Sequence, residues 1–305
     1  MIPSRPARLF AACLLLPPGA ALAQPLDPES RIAVMSAFEP EWTTLLADMT
    51  GTEEHVLNGT RFVTGELGGK PVVLFLSGVS MVNAAMNTQL ALDRFNVEGI
   101  VFSGIAGGVD PTLSIGDVVV AAEWSQYLES VFARETPDGF ALPPWMQPSG
   151  IASLGMIHPQ PVGVVREGSE GIEPVVWFPA DAEWLEVAEQ VAASVTLEDC
   201  GAEGACLSDP PQIVVGGRGV SGQAFVDNAE VREWVHGTFE AQVLDMESAA
   251  VAHVAYANRV PFIAFRSLSD LAGGGEGANE MGTFMSLAAG NSAALVTAFL
   301  EALPD

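Results

Sequence analysis

The sequence predicts an α/β fold: a single domain with a mixed, largely parallel central sheet flanked by helices. Three observations carry this. Short apolar runs of strand length recur along the chain, stretches with helical spacing separate them, and several runs end in glycine-rich or acidic residues. Such alternation is what strands laid side by side with crossover helices produce.

In chain order, Arg31 to Ala37 is an apolar run ending in small residues, as a buried parallel strand requires. Phe62–Leu67 and Pro71–Leu76 bracket Gly68-Gly69 and predict a hairpin. Between Ser80 and Phe95, the residues Val82, Ala85, Met86, Leu90 and Phe95 fall at helical spacing. Ile100-Val101-Phe102 predicts a strand running into a glycine-rich turn, Ser103-Gly104-Ile105-Ala106-Gly107-Gly108, and Val118–Ala121 predicts another strand. From about 123 to 211 the periodicity dissolves into scattered prolines, glycines and tryptophans, with one helix at 181–195. This stretch is expected to be an insertion beside the core. Ile213–Val220 then predicts a strand, followed by a helix near 228–238. Gln242-Val243-Leu244 leads into Asp245-Met246-Glu247, and a helix of small residues follows at 248–258. A strand at Phe262–Phe265 and a terminal helix near 280–302 complete the pattern.

The first residues are set apart from this domain. Arg5 and Arg8 precede the apolar run Leu9–Leu16; Pro17-Pro18-Gly19 breaks it, and Ala21-Leu22-Ala23 offers a cleavage site before Gln24. That is the pattern of a secretory signal at 1–23, too short to span a bilayer, followed by a domain at 24–305. The expected location is periplasmic or secreted. The whole chain has 12 bases, 38 acids and a formal charge of −26. Such a surface argues against nucleic acid as a partner, and against anionic membrane once the signal is gone. Cys13 would leave with the signal. Cys200 and Cys206 remain, and in an oxidising compartment they are expected to form a disulfide. So short a loop contributes roughly 2 kcal/mol.

Four features fall where strands end, the edge at which open α/β sheets bind ligands. They are Phe38-Glu39-Pro40-Glu41, the glycine-rich stretch 103–108, Asp245-Met246-Glu247, and Arg266-Ser267-Leu268-Ser269-Asp270. Together with Ile115-Gly116-Asp117, Val220-Ser221-Gly222-Gln223-Ala224-Phe225, Ala252-His253 and Val260-Pro261-Phe262, they resemble the nucleoside phosphorylase superfamily. Within it they resemble the methylthioadenosine/S-adenosylhomocysteine nucleosidases, over roughly 31–122 and 213–302.

The resemblance implies a nucleoside phosphorylase-like fold, a homodimer or larger homo-oligomer, and hydrolysis of a purine nucleoside with no metal or organic cofactor. It implies that Asp270 protonates the purine as the C–N bond stretches, with Ser269 and Arg266 orienting its carboxyl. Glu247 would hold the ribose hydroxyls and favour an oxocarbenium-like state, with Met246 beneath the sugar. Phe225 would stack on the base, Val226 would offer backbone contacts, and Ala106 and Gly107 would border the sugar. Glu41 would activate water. Phosphorolysis needs cations near the glycine-rich stretch, and residues 98–117 contain neither Arg nor Lys. A phosphate-dependent phosphorylase and a non-catalytic nucleoside-binding or storage protein stand as the alternatives. His253, His158 and the insertion tryptophans Trp124, Trp145, Trp177 and Trp184 are expected to pack rather than react.

Overall fold

The computed structural model describes residues 26–166, 168–201, 204–275 and 277–304. The signal expected at 1–23, with Cys13, lies outside the described residues. Along the chain run β1 (Asp27–Ser36), α1 (Glu39–Asp48), β2 (Thr50–Leu57), β3 (Thr60–Leu67), β4 (Lys70–Leu76), α2 (Met81–Arg94), β5 (Phe95–Gly108), β6 (Val118–Val120) and β7 (Glu123–Gln126). Short strands follow: β8 (Ser130–Phe132), β9 (Arg134–Thr136), β10 (Gly139–Ala141), β11 (Ile157–Pro159), β12 (Val162–Val164), β13 (Glu173–Val175) and β14 (Phe178–Pro179). The rest are α3 (Ala182–Ala192), β15 (Ile213–Val215), β16 (Arg218–Ser221), α4 (Ala229–Phe239), β17 (Val243–Asp245), α5 (Ser248–Asn258), β18 (Phe262–Asp270) and α6 (Met281–Ala302).

One mixed sheet organises these elements. Its main path runs β14-β7-β16-β17-β5-β1-β4-β3-β2, and β18 joins it by pairing with β5 and β6. β1 and β18 both lie parallel to β5, so the carboxyl ends of all three point to one edge. Every residue of β18 is buried, and so is β5 from Ile100 onward, as strands covered on both faces must be. α2 and α5 pack together, while α6 lies on β18 and β5 beside α1 and α3. Helix α6 is long and apolar enough to cross a membrane by composition, but Leu287, Leu295, Val296, Phe299 and Leu300 are buried in the core.

Three expectations change. The glycine-rich stretch 103–108 is not a turn: β5 continues to Gly108, and the small residues let neighbouring chains approach its backbone. A Cβ at Gly104 would stand 2.0 Å from Arg266 Nη1, so no larger residue fits there. The single strand expected at 213–220 is two, broken at Gly216 and Gly217, whose φ values of 101° and 71° favour glycine. The insertion is narrower than 123–211. β7 pairs with β16 within the main sheet, β14 pairs with β7, and α3 packs on α6. What remains outside the sheet is mainly three two-stranded pairs, β11–β8, β10–β9 and β12–β13, and the segment that carries Cys200 and Cys206. Cys200 and Cys206 form the expected disulfide.

Trp124 on β7 marks the difference, because it is wholly buried while Trp145 is 82% exposed. Trp124→Ala should cost about 3–5 kcal/mol of stability, and Trp145→Ala should stay within about 0.5 kcal/mol. Denaturant midpoints of the two variants measure this; equal, small effects would return Trp124 to the insertion.

Candidate active site

At the shared strand edge opens a cavity of about 360 Å³, within the range that holds small molecules. Its walls include Glu41, Ala106, Gly107, Phe225, Val226, Asp245, Met246, Glu247, Ser269 and Asp270. All the residues given a catalytic or substrate-binding role from the sequence therefore meet here except Arg266, which is fully buried and not among the lining residues. The tryptophans and His158 are not among the lining residues. His253 stacks on Phe178 at 4.8 Å between centroids, a packing role.

Glu41 sits in the first turn of α1, where Pro40 suits a helix start. Its carboxylate folds back: Oε2 accepts from the amides of Ala37 (2.6 Å) and Phe38 (3.2 Å), and Oε1 accepts from Ile105 N (2.8 Å). Burial pushes its pKa upward, opposed by Arg266 and these three amides.

Asp245 ends β17, three residues before α5 begins. Its Oδ1 accepts from the amides of Glu247 and Ser248, both at 3.1 Å, and from the Ser221 hydroxyl. Glu247 receives Ser80 N at 2.7 Å on Oε1. Ser80 supplies that N–H from φ 79°, ψ 158°, a conformation almost reserved for glycine. Such strain costs of order 1–3 kcal/mol and marks functional sites. Burial raises the Glu247 pKa to about 7, with Arg266 opposing and Asp245 adding to the shift.

Arg266 was expected to orient Asp270. Four residues along a strand span about 13 Å, which puts that carboxyl out of reach. Instead the guanidinium is fully buried on the Phe102 ring, 3.9 Å from its centroid, among three acids. Its Nε lies 2.8 Å from Asp245 Oδ2 while donating to Ser248 Oγ at 2.9 Å. That N–H is directed at the serine, so Asp245 Oδ2 has the ion pair but no hydrogen bond. Nη2 reaches Glu247 Oε2 at 3.5 Å, and Nη1 lies 3.8 Å from Glu41 Oε1.

Asp270 is placed by a slip in register. Leu268 pairs with Ala106, but Asp270 pairs with Gly107, leaving Ser269 as the extra residue of a bulge. Adjacent side chains on a regular strand face opposite ways, and the bulge lets both Ser269 and Asp270 line the cavity. Asp270 Oδ1 accepts from Ala272 N (2.8 Å) and Asn279 Nδ2 (3.3 Å), and Oδ2 accepts from Ser269 Oγ (3.0 Å). Burial raises its pKa, the hydrogen bonds oppose this, and nearby Glu280 adds to the rise.

Sequence reasoning gave no role to Ser80 or Asn279, and none to Asp245 although its motif was noted. Two acids flanking Met246 were a usable signal for Asp245. The turn at Ser80 and the loop at Asn279 carry no comparable pattern.

The phosphorylase superfamily model matches residues 31–301. The chain belongs to this superfamily. It is 30% identical to a 5′-methylthioadenosine/S-adenosylhomocysteine nucleosidase of Tolumonas auensis, over 90% of this chain and all of that one. It is 32% identical to the Geobacillus thermodenitrificans protein of the same name, covering 88% and 96%. The crystal structure of the Neisseria meningitidis nucleosidase in complex with methylthio-immucillin-A superposes with a TM-score of 0.65 at 27% identity, covering 90% and 99%.

The raised Glu247 pKa sets a pH dependence of stability. The unfolded side chain ionises near 4.5 and the folded one near 7. Between these values the folded state holds the extra proton, so this group favours folding at low pH and loses that effect as pH rises through 7. Glu247→Gln removes the titration. Its melting temperature relative to wild type should therefore climb from pH 4.5 to pH 8, by up to ~3 kcal/mol in free energy. A flat difference across that range would show that Glu247 ionises normally.

Proposed function

We propose that this chain is a purine nucleoside N-glycosidase, hydrolysing adenosine-type nucleosides such as methylthioadenosine or S-adenosylhomocysteine. One observation supports it above the rest. Four carboxylates, Glu41, Asp245, Glu247 and Asp270, line the cavity, and no Lys, Arg or His is among the described residues that do. The arginine that comes close, Arg266, is shared among three of those acids. A phosphate dianion would meet uncompensated negative charge there; water meets no such barrier. The relatives named as nucleosidases support the same reading.

In this mechanism Asp270, whose pKa burial raises, delivers a proton to the purine as the glycosidic bond lengthens. Glu247 accepts hydrogen bonds from the ribose and offsets positive charge on the sugar. Glu41 orients and deprotonates the attacking water; Arg266 and the amides of Ala37, Phe38 and Ile105 favour its anionic form. Phe225 stacks on the base and Met246 packs against the sugar.

The same proposal includes export. A signal at 1–23 and the Cys200–Cys206 disulfide support a periplasmic or secreted enzyme. Exposed Val79, Val82 and Met86, around the start of α2, support a homodimer or larger assembly.

Base release should proceed in phosphate-free buffer and yield free sugar. Dependence on phosphate, with ribose 1-phosphate as product, would replace hydrolysis by phosphorolysis. Asp270→Asn should slow purine release about 10²–10⁴-fold while sparing an analogue whose leaving group needs no proton. Glu247→Gln should impair every riboside. A folded Asp270→Asn variant with normal purine cleavage would overturn the assignment of the general acid.

A further inference from the structure

Beside the catalytic cavity lies a second one of about 340 Å³, nearly as large as the first. Ala224, Phe225 and Val226 bound both. Asp227 and Asn228 border the second chamber as well, and its remaining walls come from two sources. Helix α4 contributes Val231 and Trp234, and the segment after β7 contributes Tyr127, Leu128, Leu154 and Ile157. These two sources are fastened together. Trp234 Nε1 donates to the Ala152 carbonyl at 3.0 Å, and its ring meets Tyr127 edge-on with centroids 6.1 Å apart. The chamber is thus a built space, lined mainly by apolar side chains beside the polar Asp227, Asn228 and Tyr127.

Its position along the catalytic cavity is informative. Asn279 joins Asp270 to Asp227, donating to Oδ1 of each at 3.3 and 3.2 Å, and Asn228 N donates to Ala272 O at 3.1 Å. The chain after Val226 is thereby tied to the residues after Asp270. If Asp270 protonates N7, the second chamber lies at the base end of the substrate. In a purine, N7 and the substituent on C6 lie on the same edge. A group on the C6 amine would therefore extend along the 226–228 segment that borders the chamber.

Phe225 adds the second argument. It is 56% exposed although it stands between two cavities. A purine in the first cavity covers only the side of the ring it stacks on, and an aromatic group gains most from covering the other. We propose that the second chamber is a subsite for an aromatic or branched aliphatic substituent on the exocyclic amine of the purine, and that the insertion builds it. This rests on the nucleosidase reading. It gives the insertion a task in substrate selection, which nothing in the catalytic cavity itself requires.

Adenosine and N6-benzyladenosine are suitable probes, because a cavity of ~150 Å³ can already hold benzene. The wild-type protein should cleave the benzylated nucleoside at least as efficiently as adenosine. Leu154→Trp and Ile157→Trp fill the chamber without touching the catalytic cavity. Each should lower kcat/KM for N6-benzyladenosine by at least about tenfold and leave adenosine within about twofold. Melting temperatures select whichever variant folds as wild type. Refusal of the benzylated nucleoside by a wild type that cleaves adenosine, or an unchanged ratio in the folded variant, overturns the subsite. Binding of the free base N6-benzyladenine, followed by calorimetry, separates the two readings. Tight binding weakened by Leu154→Trp, with no cleavage of either nucleoside, would uphold the chamber and refute the nucleosidase assignment.

Discussion

The site depends on one buried cation. Arg266 lies fully inside the protein, against Phe102, and faces Asp245, Glu247 and Glu41 together. A lone buried guanidinium would be prohibitively costly, and three buried acids without it would repel one another. The cluster therefore constrains the surrounding backbone. Gly104 has room for a hydrogen only, Ser248 at the start of α5 supplies an oxygen to Nε, and β18 must carry Arg266 across the middle of the sheet. Burial raises the pKa of Glu41 and of Glu247 while Arg266 opposes both shifts, and groups so perturbed suit acid–base chemistry.

Much of this was legible in the chain. The order of strands and helices followed from apolar runs and helical spacing, and the acids at strand ends marked the correct edge. Two kinds of information were not legible. The first is bulge geometry: nothing in Leu268-Ser269-Asp270 announces that its register slips by one, yet that slip aims both polar side chains into the cavity. The second is reach across the sheet. Arg266 was assigned to its sequence neighbour Asp270, but a strand holds its members too far apart, and its partners came from β17, α1 and the turn before α5.

The insertion shows the limit of reading by periodicity. Trp124, the disulfide loop and the short strand pairs have no common period, so a stretch containing two strands of the main sheet and one core helix looked uniform. Burial divides it: β7, β14 and α3 belong to the central sheet and its cover, while the short strands carry exposed Phe132 and Phe140, and the connection from β10 to β11 carries exposed Trp145.

Helix α6 packs against α1 as well as β18, and Gly68 in the β3–β4 turn meets Leu300 so closely that a Cβ there would fall 2.9 Å away. The earliest and latest parts of the domain thus seal the same apolar layer. Contacts so far apart in sequence form late, so the apolar faces that α6 covers stay exposed until that helix has been made. Late closure keeps the chain pliable during its longest vulnerable interval.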